Sequence, residues 1–586
     1  MSRKNRKIVA SALFVVSVIT CLIGGVNAAT TTNPVIRVGL HYGTGSMDGL
    51  NLENEVGYGF RFGYYDNTNQ FIMLGSTDQQ LISVVTAKNV YYGTYNGYTS
   101  YHTALTSSSV VVGEYHLQIP YAYSSFEQAK VASDSFPDGF PACIGGSFYT
   151  RIGNYTTRNE ALAAQMSLEA NGIYTELKGT SQYAANVVIT GTNTILFQFD
   201  DLGKNTGLGV EANQSAGSEK YTTWSKNCLY YGGFRFERIN GGKLTVVNIL
   251  PLEDYIKGVV PTEMSSSWPT EALKAQAVAS RSYFVSLGSR HSSNHFDICN
   301  STHCQAYTGQ TRASSNSNAA VDQTKGQVAL YNGNVAQTYY YSSNGGASES
   351  VSVVWGSSQA LYPYLVGRTD LYEASLNLNN TWERTFTTAQ VVSKVLFDQN
   401  VSGSIQSAQI DSYTDVGNPK TITFTDSTGK NYTVSSARVY SKLGLPSFRF
   451  GFSGDKTSQT DLETITPYTD TSIAVNGSDG FDRADEWYAI SGDGDISPVG
   501  EDIYIISGSG TVSKLDQNLD QNQASTYVTY GSAIAVIDND KITFVGRGWG
   551  HNIGMSQYGA YAMAQQGKNY VDILKFYYTG IDVGQI

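Results

Sequence analysis

The segment 291–305 concentrates side chains that can bind a metal ion. It holds Cys299, Cys304 and three of the seven histidines of the chain. Thiolates and imidazoles at this density suit tetrahedral coordination of Zn²⁺, and the predicted ligands are His295, Cys299, His303 and Cys304. We expect a structural ion, since acid–base chemistry has a separate candidate residue. A Cys299–Cys304 disulfide and a loop with two free thiols are the alternatives that the sequence leaves open.

The separate candidate is the carboxyl group of Glu263. Two apolar residues, Met264 and Trp268, follow it closely and can shield it from water. Removing a carboxyl group from water raises its pKa, so that the group keeps a proton and can act as a general acid. A helix-terminal acid without a chemical role is the alternative.

The helix that follows Glu263 is predicted to span 270 to about 287, because a proline occupies a favoured first position and no breaker follows. Lys274 and Arg281 are seven residues apart and therefore lie on one face; Gln276 and Tyr283 form a second such pair. We expect an apolar stripe to pack inward and the two cations to bind anionic groups. An ordinary amphipathic helix with solvated cations is the alternative.

The composition bounds the kind of protein that carries these residues. A chain of 586 residues is long enough for about four structural units. Only 15% of the residues are charged, whereas glycine (59) and tyrosine (42) are abundant, which is typical of β-rich extracellular proteins. The net charge of −11 argues against a general nucleic-acid binder. Together with the predicted helices, this favours an α+β chain of several domains.

The N-terminus has the pattern of an export signal. Four basic residues within 3–7 precede an apolar run from 8 to 26, and alanines follow at 28 and 29. We predict that 1–29 is a secretory signal peptide and that the protein is secreted or held at the cell surface. An uncleaved membrane anchor is the alternative, because the run is close to the minimum length for a membrane span.

An internal repeat predicts a small α/β unit within 109–180. Residues 123–129 (Tyr-Ser-Ser-Phe-Glu-Gln-Ala) match residues 155–161 (Tyr-Thr-Thr-Arg-Asn-Glu-Ala) at a spacing of 32. Each copy combines a strand with a helix that opens on a capping box, Ser124 with Glu127 and Thr157 with Glu160. Two such copies predict a ferredoxin-like sandwich. The region resembles the SPOR domain, and that resemblance implies binding to glycan strands without stem peptides.

The remaining chain shows mostly strand patterns. Residues 30–108 form a β-rich segment, and 185–250 resume the same alternation, so the α/β unit is predicted to be inserted into a β domain. We assign 181–586 to one domain, with a β-rich insertion near 450–540.

Several ordered segments of 181–586 resemble the stage II sporulation protein D (SpoIID/LytB) family. They are Val-Val-Pro-Thr-Glu-Met at 259–264, the helix segment 272–283, His-Cys-Gln-Ala-Tyr-Thr-Gly at 303–309, Tyr-Ser-Ser-Asn-Gly-Gly at 341–346 with Val354-Trp355, and 548–560 with its glycines around His551. The family contains lytic transglycosylases of peptidoglycan and, in another branch, amidase enhancers. The resemblance therefore implies a peptidoglycan-processing protein.

The resemblance also implies roles for individual residues. Glu263 matches the catalytic acid. The residues that the resemblance predicts to bind substrate are Lys274, Arg281, Tyr283, Gln305, Tyr307, Ser343, His551, Ser556 and Gln557. Some family members carry zinc at the matching cysteine and histidine positions. A glycine that usually follows the histidine of the last block is Asn552 here, which puts the fit of that loop in doubt.

These inferences lead to one expected function and two alternatives. We expect a lytic transglycosylase that cleaves the MurNAc–GlcNAc bond of denuded glycan strands and leaves 1,6-anhydroMurNAc ends, in cell-wall remodelling and by family analogy in sporulation. The first alternative is a non-catalytic amidase enhancer that acts on a partner hydrolase. The second is a wall-binding anchor.

Overall fold

The computed structural model describes residues 33–54, 58–179, 181–214, 222–376, 378, 380–453 and 532–586, together with the backbone of six short strands between 472 and 515. The signal segment 1–29 and most of the insertion near 450–540 lie outside the described residues. No helix within the described residues is both long and apolar enough to cross a membrane.

The first half of the chain is mainly β-structure. Its strands are β1 (Val35–His41), β2 (Gly49–Glu53), β3 (Phe60–Tyr65), β4 (Phe71–Thr77), β5 (Leu81–Thr86), β6 (Val90–Tyr95), β7 (Tyr98–His102), β8 (Val111–Val112), β9 (Tyr115–Gln118), β10 (Gly139–Ile144), β11 (Ser147–Tyr155), β12 (Glu176–Lys178), β13 (Ala185–Ile189), β14 (Ile195–Asp200), β15 (Leu208–Ala212), β16 (Thr222–Ser225), β17 (Cys228–Tyr231), β18 (Gly233–Glu237) and β19 (Thr245–Pro251). Its two helices are α1 (Phe126–Ser133) and α2 (Arg158–Ala170).

The second half alternates helices with short strands. Its helices are α3 (Leu252–Glu263), α4 (Thr270–Leu287), α5 (Ser315–Gln323), α6 (Val351–Val354), α7 (Leu371–Ala374), α8 (Thr388–Val395), α9 (Ser436–Leu443), α10 (Gln557–Gln565) and α11 (Tyr570–Tyr577). Its strands are β20 (Ile298–Cys299), β21 (Gln327–Tyr331), β22 (Asn334–Val335), β23 (Tyr340–Tyr341), β24 (Thr381–Thr387), β25 (Ile405–Tyr413), β26 (Pro419–Asp426), β27 (Asn431–Ser435), β28 (Phe450–Phe452), β29 (Ser472–Ala474), β30 (Phe481–Arg483), β31 (Tyr488–Ile490), β32 (Ile496–Pro498), β33 (Ile503–Ile506), β34 (Val512–Leu515), β35 (Ile537–Asp538), β36 (Lys541–Arg547), β37 (Met555–Ser556) and β38 (Asp582–Gln585). The α+β class predicted from the sequence is confirmed.

Two large sheets share the main core. One has seven strands in the order β20-β1-β19-β18-β15-β3-β4, and the other has ten in the order β12-β9-β11-β10-β14-β13-β5-β2-β16-β17. Apolar side chains from both sheets meet, as in the stacked rings of Phe62 and Phe197, whose centroids are 5.6 Å apart. Strands from 30–108 therefore lie in the same sheets as strands from 185–251, on both sides of the α/β unit in the sequence.

The α/β unit has the ferredoxin-like order. Strands β9, β10, β11 and β12 are connected through α1 and α2 and lie side by side in the order β12-β9-β11-β10, each antiparallel to its neighbour. The capping box of Thr157 and Glu160 is present at α2. At α1 the predicted box is wrong: Ser125 is the N-cap and accepts from the Gln128 N–H.

Both faces of the sheet in this unit are buried at its central strands β9 and β11. Leu117 and Ile152 pack on one side against Ala161 of α2. On the other side, the Arg151 guanidinium donates to Gln118 and Gln198 in a buried polar network. A ligand of this unit would therefore have to contact the helices, the loops or the strand edges.

Helix α4 lies at the centre of the second half. It packs against α3, α5, α10, α11 and β21, and its small residues Ala275, Ala277 and Ala279 are fully buried. Because alanine side chains are small, the neighbouring helices can pack close to the backbone of α4 at these positions. The sequence correctly predicts the bounds of α4. The expectation of an exposed cationic face is wrong, because neighbouring elements cover the helix on both sides.

A second core lies beside this helical region. It joins β24 to β28, α8, α9 and β36 around residues such as Ile422, Phe424 and Phe544. Within the insertion, the backbone forms three hairpins, β29 with β30, β31 with β32, and β33 with β34.

Candidate active site

Glu263, the last residue of α3, lies between two cavities. One has a volume of about 530 Å³ and the other about 710 Å³, and both are lined by Glu263, Ser342 and Gln557. The helix ends here because the backbone turns to an extended conformation at Met264. A linear polymer could therefore pass from one cavity to the other across this carboxyl group.

The surroundings of Glu263 favour its protonated form. Burial raises the pKa of this carboxyl, while hydrogen bonds from Ala306, Gln557 and Tyr340 act in the opposite direction. The Ala306 N–H donates to Oε1 at 3.0 Å, and the Gln557 Nε2 donates to Oε2 at 3.3 Å. The position at a helix C-terminus also disfavours a negative charge. Among the described residues that line the two cavities, Glu263 is the only carboxylic acid.

Aromatic side chains form the wall of the smaller cavity. Trp355 and Trp549 are 41% and 57% exposed, and the Trp355 ring packs against Tyr339 and His551 at centroid distances of 4.7 and 5.1 Å. Burial lowers the pKa of His551 to about 4, so this imidazole is neutral at neutral pH. Exposed aromatic faces beside neutral polar groups are suited to pyranose rings. Tyr283 and Gln305 line the same cavity.

Gln305 connects the wall of the cavity to the helices behind it. Its Nε2 donates to the Ser280 carbonyl and to the Tyr340 hydroxyl, each at 3.1 Å, and its Oε1 accepts from the Tyr255 hydroxyl at 3.0 Å. With every polar atom of its amide engaged, Gln305 fixes the backbone that carries the Ala306 N–H. The side chain therefore positions a hydrogen bond to Glu263.

Five of the nine predicted substrate contacts do not line the cavities, and Ser556, described below, is one of them. Arg281 is fully buried and forms a bidentate ion pair with Glu253 at 2.9 and 2.7 Å. Lys274 forms an ion pair with Glu271 at 2.6 Å. Tyr307 is buried and donates to Asn248 at 2.9 Å. Ser343 is buried beside a carboxylate that the sequence analysis did not identify. A buried Arg281 holds α4 to α3 because its charge must be paired inside the protein.

The carboxylate beside Ser343 belongs to Glu373. It accepts from the Ser343 hydroxyl at 2.5 Å and from the Asn344 and Gly345 N–H groups at 2.9 Å each, and it also accepts from the Ser556 hydroxyl. Burial and the adjacent Asp370 carboxylate raise the pKa of Glu373 to about 7. The side chain thus joins the loop at 343–345 to the start of α10.

Glu373 therefore positions two predicted residues. Ser556, predicted as a substrate contact, is buried at the N-cap of α10. The next residue, Gln557, lines both cavities and donates to Glu263. The sequence carried one signal of Glu373: Asp370 and Glu373 have the three-residue spacing of a helix start, and the Asp370 carboxylate accepts from the Glu373 N–H.

The predicted metal cluster forms with one different ligand. The donor atoms of His291, Cys299, His303 and Cys304 all lie within 4.8 Å of one another, and the four described cysteines of the chain are free. The Cys304 sulfur is 3.4 Å from His291 Nε2 and 3.5 Å from His303 Nδ1. Ligands about 2.0–2.3 Å from a tetrahedral Zn²⁺ have separations of this size. The donor set fits zinc.

The prediction of His295 as a metal ligand is wrong. Its Nδ1 forms a 2.6 Å contact with Glu237, and the residue has a left-handed backbone conformation with φ of 64°. His291 takes the fourth place because its ring stacks on Phe296 and turns toward Cys304. The cluster ends at Cys304, two residues before the N–H that Glu263 accepts.

The site has a single buried carboxyl group between two cavities, and the comparisons with known proteins agree on the family of the chain. The SpoIID family model, described as "Stage II sporulation protein", matches residues 240–331. An amidase enhancer of Bacillus subtilis is 34% identical over 72% of this chain, and the chain spans only 58% of that relative's length. An uncharacterized protein of Brachyspira hyodysenteriae is 30% identical over 60% of this chain and 72% of its own length.

A more distant relative is the stage II sporulation protein D of Bacillus subtilis, which is 23% identical over 65% of this chain and 88% of its own length. The chain belongs to the SpoIID family. The matched segment 240–331 contains α3, α4, the metal cluster and Gln305. The segment that matches the family model therefore includes the helices and the loop that position Glu263.

Proposed function

We propose that this protein is a lytic transglycosylase that cleaves the MurNAc–GlcNAc bond of peptidoglycan glycan strands. The observation that carries the proposal is the lone carboxyl group of Glu263 between two cavities. Hydrolases of glycosidic bonds usually need two carboxylates, one as acid and one as base or nucleophile. A lytic transglycosylase needs only one, since the substrate supplies its own nucleophile.

The reaction can be followed at the Glu263 carboxyl. The protonated group donates its proton to the glycosidic oxygen as the C1–O bond of the muramic sugar breaks. The resulting carboxylate, held by the Ala306 and Gln557 donors, then accepts the proton of the C6 hydroxyl as that oxygen bonds to C1. The 1,6-anhydro ring closes, the leaving sugar keeps its new hydroxyl, and Glu263 is protonated again.

The exposed tryptophans support sugar binding on one side of this carboxyl. Trp355 and Trp549 present their rings to the smaller cavity, while Trp268 lines the larger one and packs on Tyr558 and Tyr561. Aromatic rings on both sides of Glu263 suit a strand that is cleaved internally. Because peptidoglycan lies outside the cell membrane, the proposal also requires export, which the segment 1–29 would direct.

The test is mass spectrometry of products from denuded glycan strands incubated with the protein and with Glu263→Gln. We expect 1,6-anhydroMurNAc ends from the wild type and none from the variant. Reducing MurNAc ends would indicate a muramidase instead. Absence of cleavage by a folded wild type would contradict a transglycosylase.

The second candidate is an amidase enhancer, which is the printed name of the Bacillus subtilis relative at 34% identity. In that case the two cavities beside Glu263 would bind glycan while a partner hydrolase cuts the cell wall. The two candidates separate when an amidase is added. An enhancer would accelerate the amidase equally well with Glu263→Gln, whereas a transglycosylase would release anhydro ends without any partner.

We propose a structural zinc ion at His291, Cys299, His303 and Cys304. Bound there, the ion would hold the segment that carries Ala306 in place. Zinc would bind both cysteines as thiolates and both histidines as neutral imidazoles. Metal analysis should find about one zinc per chain, lost in His291→Ala and kept in the matched control His295→Ala. Retention in both variants would contradict this ligand set.

We also propose that the ferredoxin-like unit binds glycan in the manner of a SPOR domain. Since the central strands of its sheet are buried on both faces, the exposed aromatic side chains offer the contact surface, Tyr121 and Tyr174 being 60% and 73% exposed. Tyr174→Ala should weaken retention on denuded glycan, while Tyr95→Ala, at an exposed tyrosine outside this unit, should not. Equal retention of both variants would oppose this role.

A further inference from the structure

Each of the two cavities beside Glu263 contains one arginine. Arg290 lines the smaller cavity and Arg312 lines the larger one. Both residues are exposed, and neither forms an ion pair with a carboxylate among the described residues, although Arg290 donates to the His303 carbonyl at 3.3 Å. The cations predicted for this role, Lys274 and Arg281, are instead paired with acids of α4 and α3.

These two guanidinium groups fit the charge of a bare glycan strand. Sugar hydroxyls and acetamido groups are neutral, and the lactyl side chain of muramic acid ends in a carboxylate when no peptide is attached. A guanidinium binds a carboxylate through two parallel hydrogen bonds, which is stronger than a neutral contact. When a stem peptide is attached, the lactyl carboxyl becomes an uncharged amide and this interaction is lost.

We propose that Arg290 and Arg312 select strands without stem peptides by binding free lactyl carboxylates on the two sides of Glu263. Muramic sugars alternate along the strand, so a strand that spans both cavities presents carboxylates on each side of the cleaved bond. The inference rests on the proposed function for its substrate. It assigns specificity to two residues outside the catalytic step.

The test measures binding by the full chain with Glu263→Gln, which retains the ligand without cleaving it. Isothermal titration compares denuded glycan oligomers with chitin oligomers of the same length, which lack the lactyl group. We expect denuded oligomers to bind about tenfold more tightly, since a charge-assisted hydrogen bond contributes more than a neutral one. Adding Arg312→Gln should remove most of this preference and leave chitin binding unchanged.

Two further variants make the test sharper. Arg384→Gln, an exposed arginine on β24 away from both cavities, is the matched control and should keep the preference. Arg290→Lys keeps the charge near the metal cluster but loses the paired geometry, so it should weaken the preference only in part. Rising salt should reduce the preference as well.

Equal affinity for the two oligomers, or the same loss with Arg384→Gln, would overturn the proposal. Failure of the proposed function would be recognised separately. A wild type that prefers denuded oligomers yet never releases anhydro ends would support the arginine specificity and contradict only the proposed transglycosylase activity.

Discussion

Glu263 and Glu373 are both carboxylic acids inside the protein, but they are bound differently. Glu263 accepts hydrogen bonds from Ala306 and Gln557 and lines two cavities. Glu373 accepts from four donors, three in the loop at 343–345 and one at the start of α10, and is only 2% exposed. A fully engaged carboxylate holds protein parts together, whereas a partly engaged one keeps lone pairs for a substrate.

The comparison predicts a large effect on the rate from Glu263 alone. Glu263→Gln keeps the size of the side chain and removes its proton. The cleavage rate should fall by about 10²–10⁴-fold, the usual contribution of a general acid. Rates of anhydro-product release measure this. Glu373→Gln, which does not touch the cavities, should lose no more than about tenfold, and an equal loss in both variants would remove the distinction between the two acids.

The comparison also predicts that Glu373→Gln lowers the stability of the fold more than Glu263→Gln does. In Glu373→Gln an amide nitrogen replaces one acceptor, so that two buried donors lose their partner. The free energy of unfolding should fall by about 2–4 kcal/mol, because buried donors without partners cost about 1–3 kcal/mol each. Urea unfolding followed by circular dichroism gives the value. Glu263→Gln serves as the control, and a similar loss there would show that both acids are structural.

The sequence predicted the elements of the site better than its contacts. It singled out Glu263, which lines both cavities, the long helix α4 and the segment of the cysteine–histidine cluster, since these are local patterns of spacing and side-chain type. It could not predict what covers a helix. Lys274 and Arg281 do share the periodicity that the sequence shows, yet each is paired with an acid. The partner of Lys274 is on the same helix, whereas the partner of Arg281 is on α3 and covers it. Periodicity shows which residues lie together and contains no information about their neighbours.

The same limit explains the errors at Ser343, Ser556 and His295. A serine in a motif is compatible with substrate binding and with a buried carboxylate as partner, and Glu373 comes from a distant part of the sequence. His291 and His295 both lie close to the two cysteines. Only the backbone conformation decides that His295 turns toward Glu237 and that His291 meets Cys304. Contacts and backbone conformations that exist only in the folded chain therefore determined each of these outcomes.

Gln557 donates to Glu263 and directly follows the serine that donates to Glu373. Its substitution gives a smaller and more specific prediction. Gln557→Ala removes the donor to Glu263 without exposing a buried group of Glu373, so the rate should fall by about tenfold with little loss of stability. Because that donor lowers the pKa of Glu263, its removal should also move the high-pH limb of the activity profile upward. Gln565→Ala, on the same helix and exposed, is the control. A lower rate with an unmoved pH limb would contradict the direct contact.

The smallest predicted effect is a pH-dependent difference in stability between Glu263→Gln and the wild type. Burial raises the pKa of Glu263 in the folded state, so the folded protein binds the proton more tightly than the unfolded chain. Stability from this group is therefore complete below the unfolded pKa and is lost as pH rises through the folded pKa. Glutamine does not titrate, so the variant should become progressively more stable than the wild type between acidic and neutral pH. Urea unfolding at several pH values measures this difference. A difference that stays constant with pH would mean that Glu263 is as well solvated as an ordinary surface acid, and the contrast with Glu373 would then have to rest on hydrogen bonding alone.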